Sequence, residues 1–378
     1  MLPFDKLSFW ERRAFLENID FLIVGAGIVG SACALSLRKK HPSAKILIVE
    51  RGYLPSGAST KNAGFACFGS VTELLDDLSH LDEGTVWDTL ELRFNGLNRL
   101  RERFTDEEIS LKFRGSWDLI DDSDQRLPDM LARLEYLNKK TFERTGIDNC
   151  YSFDAGIAKK CGFKGISGGF FSRAEGELET DKLFLATQRK LAENNILQLC
   201  GIEVKTYQSG ENVVTVESNY GELKASNLIF AVNGFGRQLL GEKRIQPARA
   251  QVIVSEKIPG FTLPGTFHYQ EGYYYFREID NRLFIGGGRN LDKAGETTET
   301  LENTELITNA IKSLVFEKII PGKTIQWEYQ WAGIMGVGSE KKPIVELIDS
   351  NVAAGIRLGG MGVAIGSLVG EQLAELFV

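Results

Sequence analysis

Three glycines with the spacing Gly-x-Gly-x-x-Gly, at Gly25, Gly27 and Gly30, point most directly to chemistry in this chain of 378 residues. The apolar run Asp20–Val24 before them predicts a strand, and Ile28–Lys40 after them predicts a helix. The first glycine permits a tight turn, the second lets the backbone approach a pyrophosphate, and the third allows the helix to pack closely on the strand. Because the helix N-terminus faces the phosphates, the pattern predicts a dinucleotide site.

A carboxylate follows where such a site needs one. After the break at His41-Pro42, Ala44–Glu50 predicts a second strand, and Glu50 ends it twenty residues after the third glycine. This βαβ unit is expected to be parallel, with a right-handed crossover. The Glu50 carboxylate can accept hydrogen bonds from an adenosine ribose. The alternative is a glycine-rich packing turn that binds nothing.

Two further glycine-containing segments favour a flavin over a nicotinamide dinucleotide. Ser56–Gly64 consists of small residues with free backbone N–H groups, which suits a long extended cofactor. Gly359–Gly362 opens the last predicted helix and aims its N-terminus at a ligand, where negative charge is stabilised. An anionic reduced flavin gains from that charge effect and a nicotinamide ring does not. The alternative for the second segment is ordinary entry into a helix.

The composition excludes several classes of protein. Hydrophobic residues make up 43% and charged residues 25%, as in globular proteins, and the length predicts two or three domains. A net charge of −7 argues against binding to nucleic acid or to an anionic membrane. The five scattered cysteines form no pair and the three histidines have no ligand spacing, so we expect a reducing cytoplasm and no metal.

One uncharged segment, Phe21–Leu37, resembles a short membrane span. It is shorter than the roughly 20 residues that a span needs, and it contains the three glycines. We therefore expect a buried strand, turn and helix, and no transmembrane segment.

The remaining elements follow from hydrophobic spacing and turn residues. We expect a long loop at Arg51–Ser70 and a hairpin turn near Asp280-Asn281. The predicted helices are Thr85–Arg103, Pro128–Arg144, Asp181–Asn194, Thr300–Phe316 and Val363–Phe377. The predicted strand regions are Ile202–Val216, Asn227–Val232, Gln251–Ser255, Gly272–Arg277, Leu283–Gly287, Thr324–Ala332 and Val352–Leu358.

The order of these elements predicts an α/β fold. A Rossmann-like cofactor domain is built from both chain ends, and an α+β substrate domain with a mostly antiparallel sheet is inserted into it. The cofactor domain is expected to comprise residues 1–80, 176–245 and 331–378. A cap segment at 81–175 and a sheet at 246–330 are expected to form the substrate domain.

Over nearly its whole length the chain resembles the FAD-dependent D-amino acid oxidase-type superfamily, which includes glycine and sarcosine oxidases and D-amino acid dehydrogenases. Each motif is weak alone, but their order is specific. The motifs are Gly25–Gly30 with Glu50, Gly57–Gly64, Phe230–Gly234, Pro247–Gln251, Tyr273–Gly288, Trp331–Gly333 and Gly359–Gly362.

The resemblance implies a set of residues that bind FAD, which we expect to be non-covalent. Glu50 would hold the ribose, Val204 would lie beside the adenine, and Gly333 with Met335 would line the isoalloxazine. The whole set is Gly25, Gly27, Ile28, Val29, Gly30, Glu50, Arg51, Ala58, Ser59, Thr60, Lys61, Asn62, Ala63, Gly64, Val204, Ala231, Asn233, Gly234, Gly333, Met335, Gly360, Met361, Gly362, Val363 and Ala364.

The substrate site departs from the relatives. Where amino-acid-oxidising relatives often carry a carboxylate-binding arginine this chain has Met335, and Ala364 stands where sarcosine oxidases have a lysine. A buried carboxylate needs a charged partner. Lys61, Arg277 or Arg289 could supply it, with hydroxyls from Tyr273, Tyr274 or Tyr275. The expected catalytic set is Lys61, Tyr275, Arg277 and Met335.

The expected function is oxidation of a small amine or amino acid by hydride transfer to the flavin N5. The electron acceptor, whether oxygen, a quinone or a carrier, stays open. The alternatives are a 2-hydroxy-acid dehydrogenase and a flavin-binding accessory protein without catalysis. We expect His268 to be structural and Cys67 to be a small buried apolar residue.

Overall fold

A computed structural model describes residues 3–377 of the chain. The strands are β1 Ile19–Val24, β2 Ile46–Glu50, β3 Phe65–Ala66, β4 Ser116–Asp121, β5 Tyr151–Asp154, β6 Ile166–Ser172, β7 Gly176–Glu177, β8 Leu197–Cys200, β9 Val204–Ser209, β10 Val214–Ser218, β11 Gly221–Phe230, β12 Gln246–Ser255, β13 Thr266–Tyr269, β14 Tyr274–Ile279, β15 Arg282–Gly287, β16 Trp327–Val337, β17 Ile344–Asp349 and β18 Val352–Ile356.

The helices are α1 Phe9–Glu11, α2 Ile28–Lys40, α3 Ala58–Lys61, α4 Val71–His80, α5 Glu83–Arg103, α6 Leu127–Thr145, α7 Ile157–Cys161, α8 Thr180–Glu193, α9 Gly236–Leu240, α10 Glu305–Leu314 and α11 Gly362–Glu375. Short 3₁₀ segments lie at Phe4–Lys6, Asn233–Phe235 and Arg289–Asp292, and π-helical segments lie at Arg12–Leu16 and Val315–Ile319.

The first sheet combines strands from both ends of the chain in the order β17-β18-β11-β1-β2-β8, with β10 and β9 added beside β11. The pairs β11–β18, β1–β11, β1–β2 and β2–β8 are parallel. Strand β1 is nearly all buried, as expected for a central parallel strand. The predicted Rossmann-like fold from both chain ends is therefore confirmed.

The second sheet has the order β16-β12-β15-β14-β13-β4-β6-β5 and is antiparallel except for the pair β4–β13. The predicted mostly antiparallel sheet is confirmed. Strand β16 pairs with β12 from Trp327 to Val337, so the predicted boundary at residue 331 falls inside a strand of this sheet.

The predicted turn at Asp280-Asn281 is present between β14 and β15. Both residues have positive φ, at +52° and +61°, as a two-residue type I′ hairpin requires. The segment predicted as a long loop, Arg51–Ser70, is more ordered than expected, since it contains α3 and β3.

The uncharged run Phe21–Leu37 is divided between β1 and α2, with the glycine turn between them. Among residues 3–377, no helix combines the length and the apolar character that crossing a membrane requires.

Helices α2 and α11 pack unusually closely, because glycines of α11 face α2. A Cβ added at Gly370 would lie 2.6 Å from Cβ of Ala32, and one added at Gly366 would lie 2.7 Å from Cγ2 of Ile28. Since these contacts begin in the first turn of α2, the close packing brings the starts of the two helices together.

A buried ion pair holds the segment 288–304, which joins β15 to α10, against β12. Both carboxylate oxygens of Glu296 accept hydrogen bonds from Arg249, at 3.0 and 2.7 Å, and Gln251 donates to the same carboxylate at 2.9 Å. The side-chain oxygen of Gln251 in turn accepts from the backbone N–H of Thr304. The Pro247–Gln251 motif therefore has a structural role.

We expect Glu296→Ala to destabilise the protein by about 3–5 kcal/mol, because the buried Arg249 guanidinium loses its counter-charge. The measurement is the midpoint of thermal unfolding. The matched control is Glu102→Ala, which breaks an exposed pair with Arg99 and should change the midpoint little. Equal shifts in the two variants would show that the buried pair has no special importance.

Candidate active site

One cavity of about 830 Å³ is lined by residues from both sheets and from the starts of α2 and α11. Its volume lies towards the upper end of the range for small-molecule pockets, roughly 300–1,000 Å³. A long ligand that reaches from one sheet to the other therefore has room in it.

The turn between β1 and α2 is shaped for close approach of a ligand. Gly25 has φ of +106°, and a Cβ at Gly30 would lie 2.0 Å from the carbonyl oxygen of Gly25. The Glu50 carboxylate accepts hydrogen bonds from the backbone N–H groups of Ala26 at 3.1 Å and of Gly52 at 3.0 Å. Two oxygens offer about four acceptor sites, so Glu50 retains capacity for ligand hydroxyls.

The segment from Ser56 to Gly64 is held in place from several sides. The Ser59 hydroxyl accepts a hydrogen bond from the N–H of Ile28 at 3.0 Å, which joins this segment to the start of α2. The Asn62 side-chain oxygen accepts from the Gly64 N–H at 2.8 Å. From the second sheet, the Trp331 indole N–H donates to the carbonyl oxygen of Lys61 at 3.0 Å.

The turn before α11 lies against the end of β16. Gly359 and Gly360 have φ of +59° and +85°, and the Gly359 N–H donates to the carbonyl oxygen of Gly336 at 2.9 Å. The side-chain oxygen of Asn233 accepts from the Leu358 N–H at 3.1 Å. A Cβ at Gly360 would lie 3.1 Å from the Met335 sulfur, so this glycine makes room for the methionine.

Most of the predicted cofactor residues line this one cavity. The members that line it are Gly25, Gly27, Ile28, Val29, Glu50, Arg51, Ala58, Ser59, Lys61, Asn62, Ala63, Val204, Ala231, Asn233, Gly333, Met335, Gly360, Met361, Gly362, Val363 and Ala364. The members outside the wall are Gly30, Thr60, Gly64 and Gly234, which support it instead. Gly30 and Gly234 pack on backbone carbonyls, and the Thr60 hydroxyl donates to the Pro55 carbonyl oxygen.

Of the predicted catalytic set, Lys61, Tyr275 and Met335 line the cavity. The expectation for Arg277 is wrong. Its guanidinium is buried and donates to the carbonyl oxygens of Gly64 at 3.1 Å and Leu178 at 2.9 Å, so it faces the loop and not the cavity. Arg277 therefore ties the Ser56–Gly64 segment to the second sheet.

Among the charged residues of the wall, Lys341 and Glu73 were not predicted from the sequence, whereas Arg289 was a candidate carboxylate partner. Lys341 lines the cavity, but its ammonium donates to Glu73 at 2.8 Å and to Asp77 at 2.7 Å. Although burial opposes it, Arg93 and Lys341 hold the pKa of Glu73 well below its usual range. Arg289 also lines the cavity, and among the described residues it has no carboxylate partner within salt-bridge distance.

Three rings form one part of the wall. Phe65 lies edge-on to His268, with 5.2 Å between the ring centroids, and edge-on to Tyr275, with 5.8 Å. Burial raises the pKa of Tyr275 to about 12 and lowers the pKa of His268 to about 4, so both are neutral at neutral pH. His268, expected to be structural, thus lies on the cavity wall.

Behind this wall lies a buried carboxylate, Glu175. One of its oxygens accepts hydrogen bonds from the N–H groups of Phe68 at 2.7 Å and Gly69 at 2.8 Å, while the other has no partner. Burial raises the pKa of Glu175 to about 7. Burial, with Glu175 and Glu73 nearby, also raises the pKa of the Cys67 thiol well above its usual value.

Comparisons with known proteins agree with this geometry. A model of the FAD dependent oxidoreductase family matches residues 20–376. The chain is 19% identical to "Probable oxidoreductase OrdL" of Haemophilus influenzae over 95% of this chain and 83% of that protein. It is 22% identical to "Sarcosine oxidase subunit beta" of Rhizobium meliloti over 89% and 79%. The crystal structure of glycine oxidase from Geobacillus kaustophilus superposes with a TM-score of 0.75 at 18% identity, covering 95% and 94%.

We expect Glu175→Gln to stabilise the protein at pH 8 relative to the natural chain. The raised pKa means that the folded state keeps a proton which the unfolded state releases, so stability falls as pH rises from about 4.5 to about 7. Glutamine keeps the acceptor for Phe68 and Gly69 but cannot ionise.

The measurement is the thermal unfolding midpoint as a function of pH. The variant should exceed the natural chain by about 2 °C or more at pH 8, and the difference should shrink towards about pH 4.5. Exposed Glu107→Gln is the control and should leave the profile unchanged. A difference that does not depend on pH would contradict the assignment.

Proposed function

The chain belongs to the FAD-dependent oxidoreductase family, and we propose that it binds FAD non-covalently along the cavity and oxidises a small amine or amino acid there. The observation that carries this proposal is that one cavity joins two glycine turns, one from each end of the chain, to the tyrosine-bearing face of the second sheet. A cofactor and a substrate can therefore meet in one enclosed space.

The wall suits FAD along its length. Gly25 and Gly27 line the cavity at the start of α2, where a pyrophosphate would lie, and Glu50 has acceptor capacity for the ribose. Val204 would lie beside the adenine, and Gly333, Met335 and Gly360–Ala364 would line the ring system. We assign the first sheet with α2 and α11 to the cofactor domain, and the second sheet, including β16, to the substrate domain.

When bound, FAD supplies the hydride acceptor, its N5 atom. The chain's own residues orient the substrate and exclude water. Cys67 is the cysteine among the described residues that line the cavity, and its raised pKa keeps the thiol protonated. Since the thiolate is the nucleophilic form of cysteine, this supports non-covalent binding of the cofactor.

We propose that Arg289 binds the carboxylate of an amino-acid substrate. Met335 occupies the position of the arginine in amino-acid-oxidising relatives, and Arg277 is held by backbone carbonyls, so neither can do this. Arg289 follows β15 directly, and the preceding Gly288 N–H donates to the carbonyl oxygen of Tyr273 at 2.9 Å. Arg289 therefore lies at the same end of the cavity as the tyrosines.

The names of the similar proteins support an amine donor, since they include a sarcosine oxidase subunit and a glycine oxidase. A CH–NH group held against the flavin is the feature that such substrates share.

The test is anaerobic reduction of the purified yellow protein. We expect glycine, sarcosine, D-alanine, D-proline or L-proline to bleach the visible absorbance of the flavin, whereas D-lactate and L-lactate should not. Reduction by the lactates alone would assign a 2-hydroxy-acid dehydrogenase instead. Bound FAD that none of these compounds reduces would refute the proposed activity and favour an accessory role.

Arg289→Met should raise the dissociation constant of the reducing amino acid about 10- to 100-fold, because a charge-assisted hydrogen bond is lost. The limiting rate of flavin reduction should change less, and Arg289→Lys should recover part of the affinity. The control is Arg282→Met on the same hairpin, since Arg282 pairs with Glu328 and does not line the cavity. Unchanged affinity in Arg289→Met would exclude Arg289 as the anchor.

A further inference from the structure

A row of three polar side chains crosses three neighbouring strands of the second sheet. Asp118 on β4 is the direct partner of His268 on β13, which is the partner of Tyr275 on β14, which is the partner of Gly286 on β15. Direct partners on neighbouring strands project from the same face of a sheet. Since His268 and Tyr275 line the cavity, the row begins behind the wall at Asp118 and ends inside the cavity.

The back of this row has unused hydrogen-bonding capacity. One oxygen of buried Asp118 accepts from the Thr72 N–H at 2.7 Å, but its other oxygen has no partner. The His268 Nε2 and the Thr72 hydroxyl are also buried without a partner. Buried polar atoms are nearly always hydrogen-bonded, to protein, to water or to a ligand. Asp118 and His268, which project from the same face of the sheet, thus each have one polar atom without a hydrogen-bond partner.

The two members of the row that line the cavity, His268 and Tyr275, are held in place by packing. Phe65 packs edge-on against both His268 and Tyr275, which limits the rotation of the two rings. A Cβ at Gly286 would lie 2.6 Å from the Tyr275 hydroxyl, so glycine at this position provides the space for the tyrosine ring. Two neutral rings are therefore held side by side at the substrate end of the cavity.

We propose that His268 determines substrate specificity: one ring nitrogen accepts a hydrogen bond from the N–H group of the substrate. Asp118 acts as its positioning residue, because its unpartnered oxygen accepts from the other ring N–H through one buried water and so fixes the tautomer. The burial that keeps the imidazole neutral leaves it a lone pair to offer. Glu73 is the carboxylate whose charge acts on His268 and opposes this effect of burial.

The class of substrate rests on the proposed function, but the pairing of Asp118 with His268 does not. The pairing can be tested by nitrogen NMR of the holoenzyme labelled with ¹⁵N-histidine. The chain has three histidines, His41, His80 and His268, so His268→Asn assigns the signals of His268 by their loss.

We expect His268 to show one dominant neutral tautomer at about pH 7.5, and Asp118→Asn to shift it to a mixture of both. The same tautomer populations in the natural chain and in Asp118→Asn would overturn the positioning role of Asp118. A His268 ring that is protonated at this pH would overturn the role of His268 as an acceptor.

The contact with the substrate is tested by kinetics, using the panel amine that reduces the flavin fastest. His268→Leu should raise its dissociation constant about 10-fold, and His268→Gln, which keeps a hydrogen-bonding group, should raise it less. Exposed His80→Asn is the control and should leave the constant unchanged. FAD content, from the ratio of visible to ultraviolet absorbance, shows that each variant is intact.

The outcomes separate the two proposals. If the natural chain is reduced but both His268 variants bind the amine as tightly as it does, the specificity role is wrong and the proposed function stands. If no amine reduces the natural chain, the proposed function fails and with it the substrate contact of His268. The NMR comparison then still decides whether Asp118 positions the ring.

Discussion

The close packing of α2 against α11 is the constraint on which the rest of the site depends. Gly366 and Gly370 have no side chains, so the first and last helices of the cofactor fold approach until larger residues would overlap with Ile28 and Ala32. This contact joins the two ends of the chain, and it places the turn at Gly25–Gly30 and the turn at Gly359–Gly362 on one cavity. Two helix N-termini can then face one anionic ligand, which neither end of the chain could bind as well alone.

The second sheet is positioned through the Ser56–Gly64 segment, which contacts both this sheet and the start of α2. Trp331 and Arg277 both donate from this sheet to backbone carbonyls of the Ser56–Gly64 segment, at Lys61 and at Gly64. That segment is itself joined to the start of α2 through Ser59. Trp331 of the Trp-Ala-Gly motif and Arg277 of β14 therefore have structural roles. They fix the position of the second sheet relative to the Ser56–Gly64 segment. This explains why Arg277, although it belongs to the Tyr273–Gly288 motif, does not line the cavity.

Elements were predicted well where the contacts that determine them join residues close together in the chain, and poorly where those contacts join distant residues. The βαβ unit was predicted closely, α2 to the residue, because its strand, turn and helix are encoded in consecutive residues. Strands β4, β5, β6 and β13 and helix α4 were not predicted, since they are short and their burial depends on partners far away in the chain, as in the pairing of His268 with Asp118.

The same distinction separates the residues that line the cofactor part of the cavity from the remaining cavity residues. The cofactor residues follow one another in glycine motifs, whereas His268 and Lys341 come from separate elements and carry no local signature. The start of α4 carries a Ser-x-x-Glu pattern at Ser70 and Glu73 that the prediction did not use, and in the structure Ser70 caps the helix.

The charges on the cavity wall support the proposed carboxylate substrate, although the chain as a whole carries −7. Two carboxylates on that wall are already neutralised, Glu73 by Arg93 and Lys341, and Glu271 by Arg126. Lys341 is in turn occupied by Glu73 and Asp77. Among the described residues that line the cavity, four cations have no ion-pair partner: Arg51, Lys61, Lys205 and Arg289. Of these, Arg289 belongs to the end of the cavity that carries the tyrosines. A small anion entering this space meets positive charge that no side chain compensates, in surroundings of low dielectric where such charge acts strongly. An amino acid would match this distribution of charge. Its carboxylate can pair with Arg289, while its amine can contact the neutral side chains of Tyr275 and His268.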